Sequence, residues 1–344
     1  MSKRIYCEKK TEREPMNILS LSGFVPEAIC DTVRFTGYTG ERNIAHYCGY
    51  AADYISQVMN DRDIDGAVFP KTCDSTRTLT SYLSGSGKFC FQFVPPSDGT
   101  PSGVEFYANQ IRTYKRSVEA FYGITLSDIP ERIEMVNERN KLILGAYERL
   151  SSVSYFEYLS AIHGMLKLPL KEQKTFGKAG PLSPQKRIGM TGQRSATKEK
   201  RVFIVGSFLS CLQIAKDVEA AGLNVAGDSL PESGRLVSAR PMDPEGDPYL
   251  EIAAHILSMR HSPTQNSFRG LISRDISEIE EKNVNGVIFV IQKYCEPYEY
   301  LYPVYKKELD KRGISSVKIS PDHSEDRAKA VLLLEAFADK LQEG

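Results

Sequence analysis

The sequence predicts an α/β fold of two halves with mainly parallel sheets, joined through a helical region. Three observations carry this. Short apolar runs (GAVF, FCFQFV, VFIV, VIFVI) recur towards both ends of the chain. Most are closed by Pro, Gly or polar turn residues and lead into stretches of helical spacing. The middle of the chain carries helical spacing alone. Buried parallel strands read as continuous apolar runs, and strands alternating with helices imply crossover connections.

In order, residues 17–22 (NILSLS) are short and apolar, and 43–59 have helical spacing. Residues 66–69 (GAVF) predict a buried strand, halted by Pro70, and 89–94 (FCFQFV) a second, ended by Pro95 and Pro96. From 104 to 168 the pattern is helical. Ser127 is the expected N-cap of a helix with Pro130 near its start, and a second helix is expected over 155–166. Residues 171–201 hold nine Lys/Arg against two acids among Gly, Pro and Ser, which predicts a linker or a basic flap able to meet a phosphate-bearing ligand. The last third gives a strand at 202–205 running into Gly206-Ser207, and a helix to about 221. A short strand at 224–226 is turned by Gly227-Asp228, and a helix is expected over 249–259. It closes with strands at 287–291 and 316–319 and helices at 297–312 and 327–341. The expected organisation is 1–103 as an N-terminal α/β half, 104–170 helical, 171–200 linker or flap, and 201–344 as a C-terminal α/β half.

Composition narrows the class. The 344 residues are 41% hydrophobic and 26% charged, enough for a sizeable core. The formal net charge is zero, without the basic excess of a nucleic-acid binder. No apolar run approaches the roughly 18 residues needed to span a bilayer, and the opening MSKRIYCEKKTEREP has no apolar signal core. A cytoplasmic protein without nucleic-acid or membrane partners is expected. Seven cysteines, an odd number in a large chain, favour metal binding or buried thiols over a disulfide framework.

Two cysteines share one grammar. Cys73 in GAVFPKTCDSTRTL and Cys295 in GVIFVIQKYCEP each follow an apolar strand and a short polar turn, and each precedes an acid and a helix. In open α/β sheets ligands bind beyond the carboxyl ends of strands. Cys48, in ERNIAHYCGYAADYI, lies near a helix start, where free N–H groups favour a thiolate. Three converging thiolates suit zinc or an iron–sulfur cluster. Without a CxxC the spacing also allows small buried thiols. That is the reading for Cys90 and Cys211, while Cys7 reads as an exposed thiol and Cys30 is ambiguous.

Several segments together resemble the 2-hydroxyacyl-CoA dehydratase/benzoyl-CoA reductase family. VFPKTCDSTRTL, AHYCGYAADYI and GVIFVIQKYCEPYEYLYPVYKKELDKRGI resemble its three cysteine segments. FVPEAI resembles its early Pro-Glu element, and RVFIVGS with NVAGDSLPESGR the opening of its second half. SEDRAKAVLLLEAFADKL keeps the family's Glu-Ala-Phe but not the Thr-Arg before it, as in a divergent member.

The resemblance implies two Rossmann- or flavodoxin-like halves with an iron–sulfur cluster between them, held by Cys48, Cys73 and Cys295. It implies a [4Fe-4S] cluster with one iron free of protein thiolate, or in one branch a double-cubane [8Fe-9S] cluster serving reduction of small molecules. The implied activity is radical dehydration of a 2-hydroxyacyl-CoA, or reduction of an acyl-CoA, driven by low-potential electrons. Candidate helpers near the cluster are His46, Asp74, Glu296 and Arg77, against plainer readings in which His46 is a surface or core histidine, Asp74 and Glu296 only cap the next helix, and Arg77 belongs to a solvated helix face. The chain itself has no Gly-x4-Gly-Lys-Ser/Thr motif, and the resemblance implies a separate ATP-dependent activator as electron donor. A homologous subunit is the expected partner, in a hetero- or homodimer. A non-catalytic cluster-bearing subunit, and a zinc-binding or metal-free protein, remain alternatives.

Overall fold

The computed structural model describes residues 17–21, 23–30, 32–35, 47–179, 182, 200–207, 212–259, 262–265, 268–320 and 324–343. The described strands form two four-stranded sheets, parallel throughout. The first holds β1 (Ile18–Ser20), β2 (Thr32–Arg34), β3 (Gly66–Pro70) and β4 (Phe89–Phe93), in the order β2-β1-β3-β4. The second holds β5 (Arg201–Gly206), β6 (Asn224–Ser229), β7 (Gly286–Val290) and β8 (Ser315–Ile319), in the order β6-β5-β7-β8. The two orders are the same. In each sheet the chain starts inside, steps to one side, then returns past its first strand. Each sheet therefore has one switch point, between β1 and β3 or between β5 and β7, where the strand ends leave a crevice.

In the first half α1 (Gly49–Asn60) precedes β3, and α2 (Asp74–Arg77) and α3 (Leu79–Leu83) follow it. The middle holds α4 (Pro101–Tyr122), α5 (Ile129–Tyr147), α6 (Tyr155–Leu166) and α7 (Leu170–Ala179). The second half adds α8 (Leu212–Ala220), α9 (Gly234–Val237), α10 (Pro248–Ser258), α11 (Phe268–Glu281), α12 (Glu296–Asp310) and α13 (Ser324–Glu343). Helix starts follow local chemistry. Thr100 accepts from Gly103 N at 3.3 Å, Ser154 from Glu157 N at 3.2 Å, and Asp247 from Tyr249 N and Leu250 N at 2.9 and 3.0 Å. Proline sits just inside α4 and α10, where its missing N–H costs nothing.

Strand alternation divides the core. Leu19, Ala67 and Phe69 point to one apolar cluster with α1, while Ile18 and Val68 point to another. In the second sheet Phe203, Val205, Val287 and Phe289 pack on α11 and α12. Val202, Ile204, Ile288 and Val290 join the same central cluster as Ile18 and Val68. That cluster also takes the apolar faces of α4, α5 and α6, so the helical region packs against both sheets.

Three expectations are corrected. Gly227 and Asp228 do not turn a short strand but lie inside β6. A Cβ at Gly227 would sit 2.9 Å from Phe203, so glycine marks a close approach rather than a turn. The break expected at 171 comes later, because α7 carries the helical pattern to Ala179, and most of the expected basic linker lies outside the described residues. The N-cap of α5 is Asp128, one residue after Ser127. The strand β2 and the helix α11 were not expected.

Candidate functional site

The carboxyl ends of β1, β3, β5 and β7 face a single cleft with an empty volume of about 890 Å³, part of it open to solvent. Cys48, Cys73 and Cys295 all line it. Each is the residue before a helix: Cys48 the N-cap of α1, Cys73 of α2 and Cys295 of α12. All three are half-buried and free of disulfides.

Each cysteine is held by its own turn. Thr76, three residues beyond Cys73, accepts the N–H groups of Cys73 and Thr72 at 3.0 and 2.9 Å, and donates to Cys73 O at 3.1 Å. Cys295 N donates to Gln292 O at 3.1 Å, and Tyr298 N returns a bond to Cys295 O at 3.1 Å. The residue before it, Tyr294, has φ of 63°, a left-handed conformation costly for a bulky side chain. Near Cys48, the Tyr50 hydroxyl lies between Leu21 O and Phe35 O at 3.0 and 2.9 Å, pinning the start of α1 to the ends of β1 and β2.

Burial pushes the Cys295 thiol well above the ordinary thiol range, and negative charge on Cys48 and Cys73 pushes it further. The Tyr298 N–H and the Ser207 hydroxyl oppose that rise. The mutual effect means that the thiols share one electrostatic environment. Three thiolates there repel each other and hold together with a compensating cation. A metal deprotonates coordinating thiols outright. Thiol donors suit soft centres such as zinc and iron–sulfur clusters. Among the described residues no group of three His, Cys, Asp or Glu side chains is drawn close enough to hold a metal ion. The thiols instead ring a cavity, which fits a group larger than one ion.

The other expected residues lie apart. His46 is outside the described residues. Asp74 and Glu296 occupy the first turns of α2 and α12, exposed and outside the cleft lining. Asp74 faces Arg77 at 3.4 Å, both well exposed. Cys30 is buried against the Tyr114 hydroxyl at 3.0 Å, away from the cleft, and Cys90 is half-buried in β4 rather than core. Cys7 and Cys211 fall outside the described residues.

Sequence reading missed several lining residues, of which Arg235 is the most consequential. It is carried by α9, directly after the loop that follows β6, and Asp228 sets that loop. The Asp228 carboxylate accepts from Leu230 N, Gly234 N, Ser233 Oγ and Tyr155 Oη at 2.6–3.0 Å. Burial raises its pKa despite those donors. The signal available in advance was the run GDSLPESGR, in which an acid precedes Ser and Gly at turn spacing.

A doubly built α/β protein with a three-cysteine cleft between its halves is the class that fold and site define. The chain belongs to the 2-hydroxyglutaryl-CoA dehydratase, D-component family, whose sequence profile matches residues 14–341. Among its relatives, the lactoyl-CoA dehydratase subunit beta of Anaerotignum propionicum is 20% identical over 334 residues, covering 90% of this chain and 84% of the relative. The (R)-phenyllactyl-CoA dehydratase beta subunit of Clostridium sporogenes is 21% identical over 294 residues, covering 81% and 75%. The (R)-2-hydroxyglutaryl-CoA dehydratase subunit beta of Acidaminococcus fermentans is 39% identical over 360 aligned positions, covering 95% and 90%. No helix among the described residues is long and apolar enough to cross a membrane.

Proposed function

We propose that this chain is the cluster-bearing subunit of a 2-hydroxyacyl-CoA dehydratase, paired with a homologous subunit and supplied with electrons by a separate ATP-dependent activator. Cys48, Cys73 and Cys295 would hold a [4Fe-4S] cluster. One observation supports this above the rest: thiols from both halves of the chain line one cleft, each at the start of a helix. The relatives named above are dehydratase subunits called beta, which supports a partner subunit.

When bound, the cluster would supply low-potential electrons and a Lewis-acidic iron without a protein thiolate. The chain's own residues do the rest. Cys48, Cys73 and Cys295 each stand at the N-cap of a helix, where the partial positive charge of the backbone favours a thiolate. Leu21, Phe24, Met259 and Pro297 give the cleft a partly apolar wall. Gln292 and Thr72 add polar groups able to orient an acyl thioester.

The test is anaerobic purification with iron and acid-labile sulfide analysis and EPR after reduction, on wild type, Cys73→Ser and Cys295→Ser. About four irons per chain are expected, with loss of the signal in both variants. About eight would favour the double-cubane cluster and reduction of small molecules. Absence of iron after reconstitution would refute the cluster assignment.

A further inference from the structure

A second, smaller cavity adjoins the cysteine cleft. Its empty volume is about 330 Å³, part of it open to solvent, and Gly23 and Met259 line both spaces. The segment between β1 and β2 encloses it together with α5, α9 and α10, so both α/β halves and the helical region meet around it. Val25, Val136, Ile252 and Ile256 give it apolar walls. Its ionisable lining groups are Glu27, Arg34, Arg139 and His255.

Charge does not balance there. Arg34 and Arg139 are both almost fully buried, and among the described residues Glu27 is the one carboxylate that pairs with either of them. Burial works against the Glu27 charge, but Arg139 and Arg34 bring its carboxyl down to about 2, so it stays ionised. The other partners of Arg139, Asn140 and Gln173, are neutral. Burial keeps His255 uncharged near neutral pH, with its Nδ1 against Arg240 O. The neighbouring charges face partners of their own. Arg240 meets Glu251 at 3.0 Å, Arg132 stands 3.8 Å from Asp128, and the buried Glu232 faces His163 at 3.8 Å. None of these six lines the cavity. Two guanidinium cations, which cannot shed their protons, therefore share one carboxylate in a largely apolar space.

One donor is also left over. Arg34 is 5% exposed, its Nη2 is bound to Glu27, and its Nε is buried with no hydrogen-bond partner. Buried polar atoms are normally satisfied. A surplus positive charge beside an unpartnered N–H is completed by an anion, through a charge-assisted hydrogen bond.

We propose that this cavity holds a compact monovalent anion of halide size, bound by Arg34 and Arg139 beside Glu27. One unit of surplus charge matches a monoanion rather than sulfate or a phosphate dianion. The anion would give Arg34 Nε its missing partner and would join β2 to α5 through a charge that neither element carries. Through Gly23 and Met259 the site abuts the cleft, but it contains no thiol and needs no iron. Its test is therefore separate from that of the cluster.

The experiment is a thermal-unfolding titration of the metal-free full-length chain with sodium bromide near neutral pH. Sodium gluconate, a bulky monoanion, keeps the ionic strength constant. Wild type, Arg34→Gln and Arg34→Lys are compared, so that general salt effects cancel. The midpoint of wild type is expected to rise saturably relative to Arg34→Gln, in which the lining charges already balance. Arg34→Lys keeps the charge without the Nε–H and should need several-fold more bromide for half-saturation. Should Arg34→Gln fail to fold, anomalous diffraction from wild-type crystals grown in bromide gives a second reading, with a peak expected between Arg34 and Arg139. A wild type without a saturable bromide response, as for a cavity filled by water alone, would overturn the proposal. So would an equal response in Arg34→Gln, saturation by sulfate at a lower concentration than bromide, or a cavity without the anomalous peak.

Discussion

Glu27, in the Pro-Glu element FVPEAI, offers a test of how the N-terminal α/β half is tied to the helical region. Its carboxylate pairs with Arg34 of β2 and with Arg139 of α5, whose side chains are 5% and 2% exposed. Arg132, also on α5, donates to Ala28 O and Glu27 O at 3.2 Å each. Burial works against the Glu27 charge, yet Arg139 and Arg34 outweigh it and bring the carboxyl down to about 2 from an ordinary 4.5. At about 1.4 kcal/mol per tenfold change in proton affinity, that corresponds to about 3 kcal/mol of stability. Because the folded value is depressed, this contribution is full above pH 4.5 and is lost as pH falls towards 2. Glu27→Gln at neutral pH strands two buried guanidinium groups with only neutral partners, Asn140 and Gln173 among them. The expected cost is about 3–5 kcal/mol. With a urea dependence of roughly 3 kcal/mol per molar for a chain of this size, the unfolding midpoint should fall by roughly 1 M or more. Glu27→Gln with Arg34→Gln removes one stranded cation and should recover part of the loss. A single variant within about 1 kcal/mol of wild type, or a double variant less stable than the single one, would refute the reasoning.

Other outcomes follow from the same physics. His255 is buried between Arg240 O and the Glu27–Arg139 group, and burial holds its pKa down at about 4 instead of 6.5. The unfolded chain therefore takes up a proton that the folded chain refuses, so stability declines as pH falls from 6.5 towards 4. His255→Gln should flatten the thermal-midpoint profile in that window. Gly234→Ala forces a methyl against Asp228 O, and the loop carrying Arg235 must move. Differential scanning calorimetry should record a loss above about 3 kcal/mol, since backbone cannot yield as a side chain does. Gly66→Ala meets Phe89 and the Tyr122 hydroxyl at 2.9 Å and should cost about 1–3 kcal/mol in the same assay.

What the sequence made legible was whatever burial writes into it. Strands β3, β5 and β7 are buried on both faces, so GAVF, VFIV and VIFVI were readable as strands with little ambiguity. The strand β2 has three residues and ends in a charged Arg34, which periodicity cannot identify. Its arginine is buried only because Glu27 and α5 come to meet it, which is a tertiary fact. The shared grammar around Cys73 and Cys295 was readable because strand ends and helix starts both leave local signatures. The acids that follow, Asp74 and Glu296, belong to that signature in a plainer way. Negative charge is favoured in the first turn of a helix, and both sit there exposed. Arg235 was illegible for the opposite reason. Nothing in GRLV marks its cation as buried; that follows from the Asp228 network folding the loop inward.

The equal strand order of the two sheets accounts for the geometry of the cleft. Cys73 follows β3 and Cys295 follows β7, which hold equivalent places, each the strand across the switch point from the first. Cys73 comes three residues after the end of β3, and Cys295 five after the end of β7. The two extra residues are taken up by the Gln292–Cys295 turn and the left-handed Tyr294. Backbone strain at one site thus compensates for a difference in loop length and brings both sulfurs to the same cavity. Cys48 sits at the start of α1, the helix that leads into β3. The helix that leads into β7 is α11, and the segment before it brings Ser262 and Thr264 to the cleft. Hydroxyls stand in the second half where the first half has a thiol. The duplicated architecture therefore offers four places around one cavity, three carrying thiols and one carrying hydroxyls.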